Sequence, residues 1–134
     1  MCLRVKNAVP ITFLLDAPRR RIRTTVEGPV TVDDVAAHFE TLVREQHVGY
    51  ADLIDARNAK GPGWFSADVR RAAELVRNAG GGGPVGPRAI LVSSSAAFGM
   101  VRMLSVLLNP WMPLEVFRDP ASAEEWLDLV SSPR

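Results

Sequence analysis

Asp55, Arg57, Ser94 and Arg118 are the polar side chains whose placement could serve a reaction, because each closes an apolar, β-rich run. Ala51-Asp52-Leu53-Ile54 precedes Asp55 and Arg57, Ala89-Ile90-Leu91-Val92 precedes the serines, and Leu114-Glu115-Val116-Phe117 precedes Arg118. Open α/β sheets take ligands at the carboxyl ends of their strands, so these four form a candidate polar site for a nucleotide- or phosphate-dependent switch or a small enzyme. An aspartyl-phosphate centre would also need an acidic pair after the first strand and a lysine before the proline that follows the last. Asp16 stands alone, and the last strand closes on Phe117-Arg118-Asp119-Pro120.

Other groupings carry less. Gly81-Gly82-Gly83-Pro84-Val85-Gly86 has the G-x-G-x-x-G spacing, but it leaves a helix and enters a strand, the reverse of the order that turns helix amides toward a pyrophosphate. It reads as a loose connector. His38 and His47 share one helix at nine positions' separation, outside the spacing of a helical metal pair. No metal or cofactor is expected. The single cysteine, Cys2, has no obvious histidine partner and rules out an internal disulfide, which suits a reducing, cytoplasmic setting. Ser93-Ser94-Ser95 reads as a strand end followed by a helix cap.

The apolar residues are more informative. Over residues 96–108, Phe98, Val101, Leu104 or Ser105, and Leu108 recur at helical spacing and make a core stripe. Met100, Met103 and Leu107 form a second stripe turned away from it, and Trp111 and Met112 extend it. A helix apolar on two sides is either sandwiched or presents a surface to something hydrophobic, and methionine suits an adaptable contact. Met100, Met103, Leu107, Trp111 and Met112, flanked by Arg102, are the candidate surface for a protein partner, a second copy in a homodimer, or a lipid-like small molecule.

The chain has 134 residues, 47% hydrophobic and 23% charged, which is enough for one domain, 1–134, with a core of its own. Sixteen basic residues against fifteen acidic leave +1, far from the balance of a nucleic-acid binder. No apolar run reaches the ~18 residues of a membrane span. Residues 1–23 are basic, with six cationic side chains against Asp16, and the Arg19-Arg20-Arg21-Ile22-Arg23 run reads as a solvated hairpin turn that also protects an edge strand.

Ala8–Ala17 and Arg21–Val26 are β-rich and separated by Pro18-Arg19-Arg20, which predicts an opening hairpin. Thr31, with Asp33 and Asp34 behind it, caps an amphipathic helix over 32–47. Tyr50–Ala56 follows as a strand, Asn58–Phe65 as a Gly/Pro loop, and a helix from Ser66 to Gly80. Arg88–Ser93 is the next strand, Ser94 or Ser95 caps the third helix, Leu114–Arg118 is the last strand, and Pro120 opens a helix bearing Ala123, Trp126, Leu127 and Val130. The order β-β-α-β-α-β-α-β-α predicts an α/β domain: a mixed sheet of about five strands in which an antiparallel hairpin precedes sequential βα units.

Ala51-Asp52-Leu53-Ile54-Asp55-Ala56-Arg57, Arg88-Ala89-Ile90-Leu91-Val92-Ser93, Phe98-Gly99-Met100-Val101-Arg102-Met103, and Val116-Phe117-Arg118-Asp119-Pro120 with Ala123 and Trp126-Leu127 resemble the bacterial SpoIIAA-like proteins of the STAS superfamily. The resemblance covers nearly the whole chain. It implies strands in sequential order, no catalytic apparatus, and action by binding. In the phospho-switch members a serine follows the third strand, but this chain has Asp55-Ala56-Arg57-Asn58 there, which leaves Ser66 as a displaced substitute. The resulting expectation is a non-enzymatic binding or regulatory module.

Overall fold

In the computed structural model, which describes residues 10–60, 64–80 and 85–131, Pro18-Arg19-Arg20 turns the chain back on itself. Strand β1 (Ile11–Asp16) pairs antiparallel with β2 (Arg21–Pro29), and Arg20 takes a left-handed φ of 53° in the turn. There follow α1 (Val32–Arg44), β3 (Ala51–Lys60), α2 (Ser66–Gly80), β4 (Arg88–Leu91), α3 (Ser95–Leu108), β5 (Leu114–Phe117) and α4 (Pro120–Ser131). Strands β2 to β5 are parallel, and the sheet order is β1-β2-β3-β4-β5, the mixed five-stranded α/β arrangement expected. Among the described residues no helix is long and apolar enough to cross a membrane. Cys2 and the Gly81–Pro84 part of the connector lie outside the described residues.

Two boundaries differ from expectation. Helix α1 stops at Arg44 rather than 47, because Gln46 adopts φ 65°, which helical backbone does not allow. Strand β3 continues through Asn58–Lys60, expected as loop. A register shift between Thr25 and Glu27 lets Glu27–Pro29 pair with Asn58–Lys60, so β2 and β3 project as a two-stranded ribbon past the end of β4.

The two faces of the sheet are covered differently. On the outer face α4 lies close over β3, β4 and β5, because Ala51, Ala89 and Ala123 are small and Leu53, Leu91 and Leu127 fill the space around them. Burying Leu127 completely contributes about 1.5–3 kcal/mol. Arg21 and Arg23 of β2 fasten this helix sideways. Arg21 donates to Glu124 at 3.3 Å and to Asp128 at 2.9 Å, and Arg23 pairs with Glu124. The basic run is therefore not simply solvated. Arg20 stacks on the Tyr50 ring at 4.7 Å, which leaves Arg19 as its freely hydrated member, reaching Asp16 only at 3.9 Å.

On the inner face the side chains form rows across the parallel strands. Ile22, Asp52, Arg88 and Leu114 make the first row, Thr24, Ile54, Ile90 and Val116 the second, and Val26, Ala56 and Val92 continue the alternation. Helix α1 rests against β1, α3 rests against β5, and α2 packs on these two helices rather than on the strands. Phe39, Ala73, Val76, Leu108 and Met112 fill the space above the first row with a continuous core. Above the second row and beyond, no helix comes down onto the middle of the sheet.

Candidate functional site

The space under α2 is a cavity of about 400 Å³. Its floor is the second row, Thr24, Ile54 and Ile90. Its walls are Val35 and His38 of α1, Val69 of α2, and Ala97, Met100, Val101 and Leu104 of α3. The mouth opens at the carboxyl ends of the strands, where the exposed residues Lys60, Ser93, Ser94 and Ala96 join Trp64 and Val30. Trp64 Nε1 donates to the Val30 carbonyl at 3.2 Å, tying the segment before α2 to the end of β2.

Polar groups gather below and beside the closed end. Thr24 is buried, and its hydroxyl donates to Asp52 Oδ1 at 2.8 Å. Burial pushes the Asp52 carboxyl up to about 6, which the neighbouring charge of Arg88 and the bond from Thr24 offset only in part. Arg88, 3% exposed, keeps its charge: Nη1 donates to the carbonyls of Gly86 at 2.7 Å, Tyr50 at 3.0 Å and Val48 at 3.3 Å. Gly86 is needed for this approach, since a Cβ there would stand 2.3 Å from the Tyr50 oxygen. His38 is lowered to about 4, first by burial and then by the Arg88 charge, so it is neutral at neutral pH. Asp52 Oδ2, Arg88 Nη2 and His38 Nε2 are buried without a hydrogen-bond partner among the described residues.

The six residues expected as one outward surface are dispersed. Met100 turns toward the sheet and lines the cavity, because Ala97, Met100, Val101 and Leu104 form the helical face over the second row. Met112 is a core residue at 5% exposure, buried against Phe39 and Leu114, and therefore takes no part in a surface. Leu107 packs on the same core. Trp111 lies 6.4 Å from the Phe39 ring with the Arg77 guanidinium above it at 5.4 Å. Met103, at 37% exposure, and Arg102 remain on the outside of α3.

The expected polar site is assembled in part. Asp55 and Arg57 form a two-pronged pair, Nε to Oδ1 at 2.9 Å and Nη2 to Oδ2 at 2.8 Å, and the Arg57 side-chain hydrogen bond holds the Asp55 carboxyl below its ordinary range. Arg118 reaches the Ser93 carbonyl at 3.4 Å and the Ser95 hydroxyl at 3.5 Å. Ser94 accepts from the Ala97 amide at 3.1 Å as the cap of α3. Ser66 stands apart at the exposed start of α2, where the Asp68 carboxylate accepts from the Phe65 amide at 2.8 Å. These groups mostly satisfy one another and the backbone. Among the described residues no group of three or more His, Cys, Asp or Glu side chains could hold a metal ion.

The sequential sheet, its leading hairpin, three helices on one face and one on the other define a SpoIIAA-like fold. The chain is similar in structure to an uncharacterised protein of the DUF3478 family with a SpoIIAA-like fold from Shewanella loihica PV-4. The TM-score is 0.61 with 17% identity, over 92% of this chain and 98% of that one. No family model matches the chain. No curated protein matches it either.

Proposed function

We propose that the protein is a non-enzymatic binding module that takes an apolar, lipid-like small molecule into the cavity beneath α2. The observation that supports this reading is the cavity itself: about 400 Å³, lined mainly by aliphatic side chains and open at one end. Small-molecule sites fall in the range of ~300–1,000 Å³ and are mostly apolar with a few placed polar groups. A cavity of ~150 Å³ lined by aliphatic residues already takes up benzene, so this one has room for a ligand roughly two to three times larger. Asp55 and Arg57 neutralise each other, which weighs against phosphate or nucleotide at the strand ends.

Decanol, a neutral probe, is expected to bind and to stabilise the protein by about 2.7 kcal/mol when present at 100 times its dissociation constant. Met100→Glu places a charge in the cavity wall and is expected to weaken decanol binding by at least about tenfold. Ala97→Leu, which narrows the space without a charge, is expected to weaken it as well. Met103→Glu, on the outer side of α3, leaves binding unchanged. Titration calorimetry with the four proteins checks this; no decanol binding to the parent chain, or loss in Met103→Glu but not in Met100→Glu, overturns the reading.

A further inference from the structure

We propose that β1 is a pairing edge for a second copy of this chain, the two β1 strands running antiparallel about a two-fold axis at Phe13 and joining the two sheets into one.

The backbone carries this. Strand β1 is the first in the sheet, and no described strand lies beyond it. The Glu27 amide donates to the Pro10 carbonyl at 2.9 Å, which makes Pro10 and Glu27 a hydrogen-bonded pair of the antiparallel ladder. Alternation then turns the backbone of Thr12, Leu14 and Asp16 toward β2, and the N–H and C=O groups of Ile11, Phe13 and Leu15 away from it. When Phe13 meets Phe13 of the second copy, Ile11 of each copy stands opposite Leu15 of the other, and every one of these outward-facing groups gains a partner. No other antiparallel register uses all three residues.

The side chains agree. From Ile11 to Leu15 the strand holds no charge, proline or bulge, the devices that keep an edge from pairing. The neighbouring arginines do not guard it, since Arg21 and Arg23 are held by α4 and Arg20 lies on Tyr50. Leu14 is 74% and Leu15 40% exposed. Opposite residues share a face, so Leu15 of the second copy comes down beside Ile11, where β1 and α1 bound a groove of about 270 Å³ lined by Phe13, Ala37, His38 and Thr41.

Any extended peptide can add to a bare edge, and charge is what favours a second copy. Helix α1 starts just after β2 ends, so Asp34 in its first turn stands at the Pro10 end of the groove. The two-fold axis brings the Pro18-Arg19-Arg20 turn of the other copy to that same end, and Arg19 reaches nothing in its own chain but Asp16, at 3.9 Å. The match is repeated on the far side of the axis, as a self-complementary interface requires.

Sedimentation of the full chain is expected to show a dimer. Amide hydrogen exchange is expected to be slow at Ile11, Phe13 and Leu15 as well as at Thr12, Leu14 and Asp16, whose amides are bonded to β2. Leu15→Lys, which charges the edge, is expected to raise the dissociation constant at least about tenfold and to free the first three amides while the other three stay protected. Leu14→Lys, at an exposed site that brings two like charges together across the axis, acts the same way and separates lost pairing from a folding defect. Met103→Glu, on α3, leaves the dimer intact. A monomeric parent chain, a dimer in which Ile11, Phe13 and Leu15 exchange freely, or a dimer that survives both edge variants overturns the proposal, as does one dispersed by Met103→Glu.

Discussion

Arg88→Met is expected to lower the folding stability by about 3–5 kcal/mol, a large share of the ~5–15 kcal/mol typical of a domain. The guanidinium holds three carbonyl groups, those of Val48, Tyr50 and Gly86, at the place where the chain enters β3 and β4. A methionine of similar length fills the volume but donates nothing, so the Gly86 and Tyr50 carbonyls lose this donor, Val48 keeps only the Gly86 amide, and Asp52 loses its nearest cation. The guanidinium also lies 6.0 Å from the Phe39 ring, which ties it to the core above the first row. Urea unfolding at neutral pH measures the loss through the midpoint at unchanged slope. A change below about 1 kcal/mol, the ordinary size for a point substitution, would show that these carbonyls are satisfied another way.

The second large effect concerns pH. Asp52 holds its proton more tightly in the folded chain, with a value of about 6 against an ordinary 3.8. Its contribution to stability is therefore fully present below about pH 4 and declines as pH rises toward 6, by about 3 kcal/mol in all. His38 runs the other way. Its folded value of about 4 lies below the ordinary 6.5, so its contribution is present above pH 6.5 and is lost as pH falls toward 4. The ring is part-exposed, and solvent screening makes this second slope the smaller. Between pH 4 and 6 the two oppose each other, and the parent chain is expected to vary less in this window than His38→Gln. Asp52→Asn removes one slope, so this variant loses stability on acidification through His38 alone. His38→Gln removes the other and gains stability as pH falls. Urea midpoints across the window test this; parallel profiles for the three proteins would mean that neither group titrates in the folded chain as described.

The elements were legible because their signals are local. Pro18-Arg19-Arg20 between two β-rich runs, Thr31 with Asp34 three residues on, and Pro120 after Asp119 each act over a few residues, and each marks a boundary where the structure has one. The Asp34 amide donates to the Thr31 hydroxyl oxygen at 3.0 Å and the Asp34 carboxylate accepts from the Thr31 amide at 2.9 Å, a pairing visible in the spacing alone. Met100 was harder. An apolar residue on a helix with two apolar sides has no local feature that says which side meets the sheet, and the outcome depends on how α1, α2 and α3 lean on one another. The full length of β3 is hidden for a related reason. The Gly and Pro after Lys60 suggest a loop from Asn58 onward, whereas pairing with Glu27–Pro29 carries the strand through Lys60. Asp52 and Arg88 did leave a trace. Each is a charged residue on the inward-facing side of a strand otherwise built from apolar residues, and period-two alternation places them on the same face as Ile54 and Ile90. What no sequence pattern conveys is the distance between α2 and the strands, which is what makes a cavity of that face.

That distance gives the cavity one fixed wall and one adjustable wall. The strands are joined by backbone hydrogen bonds on both sides of the Thr25/Glu27 register shift, so the floor keeps its width. Helix α2 is retained by side-chain contacts to α1 and α3, and it can tilt without breaking a single inter-strand bond. On the proposed binding reading, a small roll of this one helix would alter the girth of the space, much as a hinged cover adapts to what lies beneath it while the tray stays rigid.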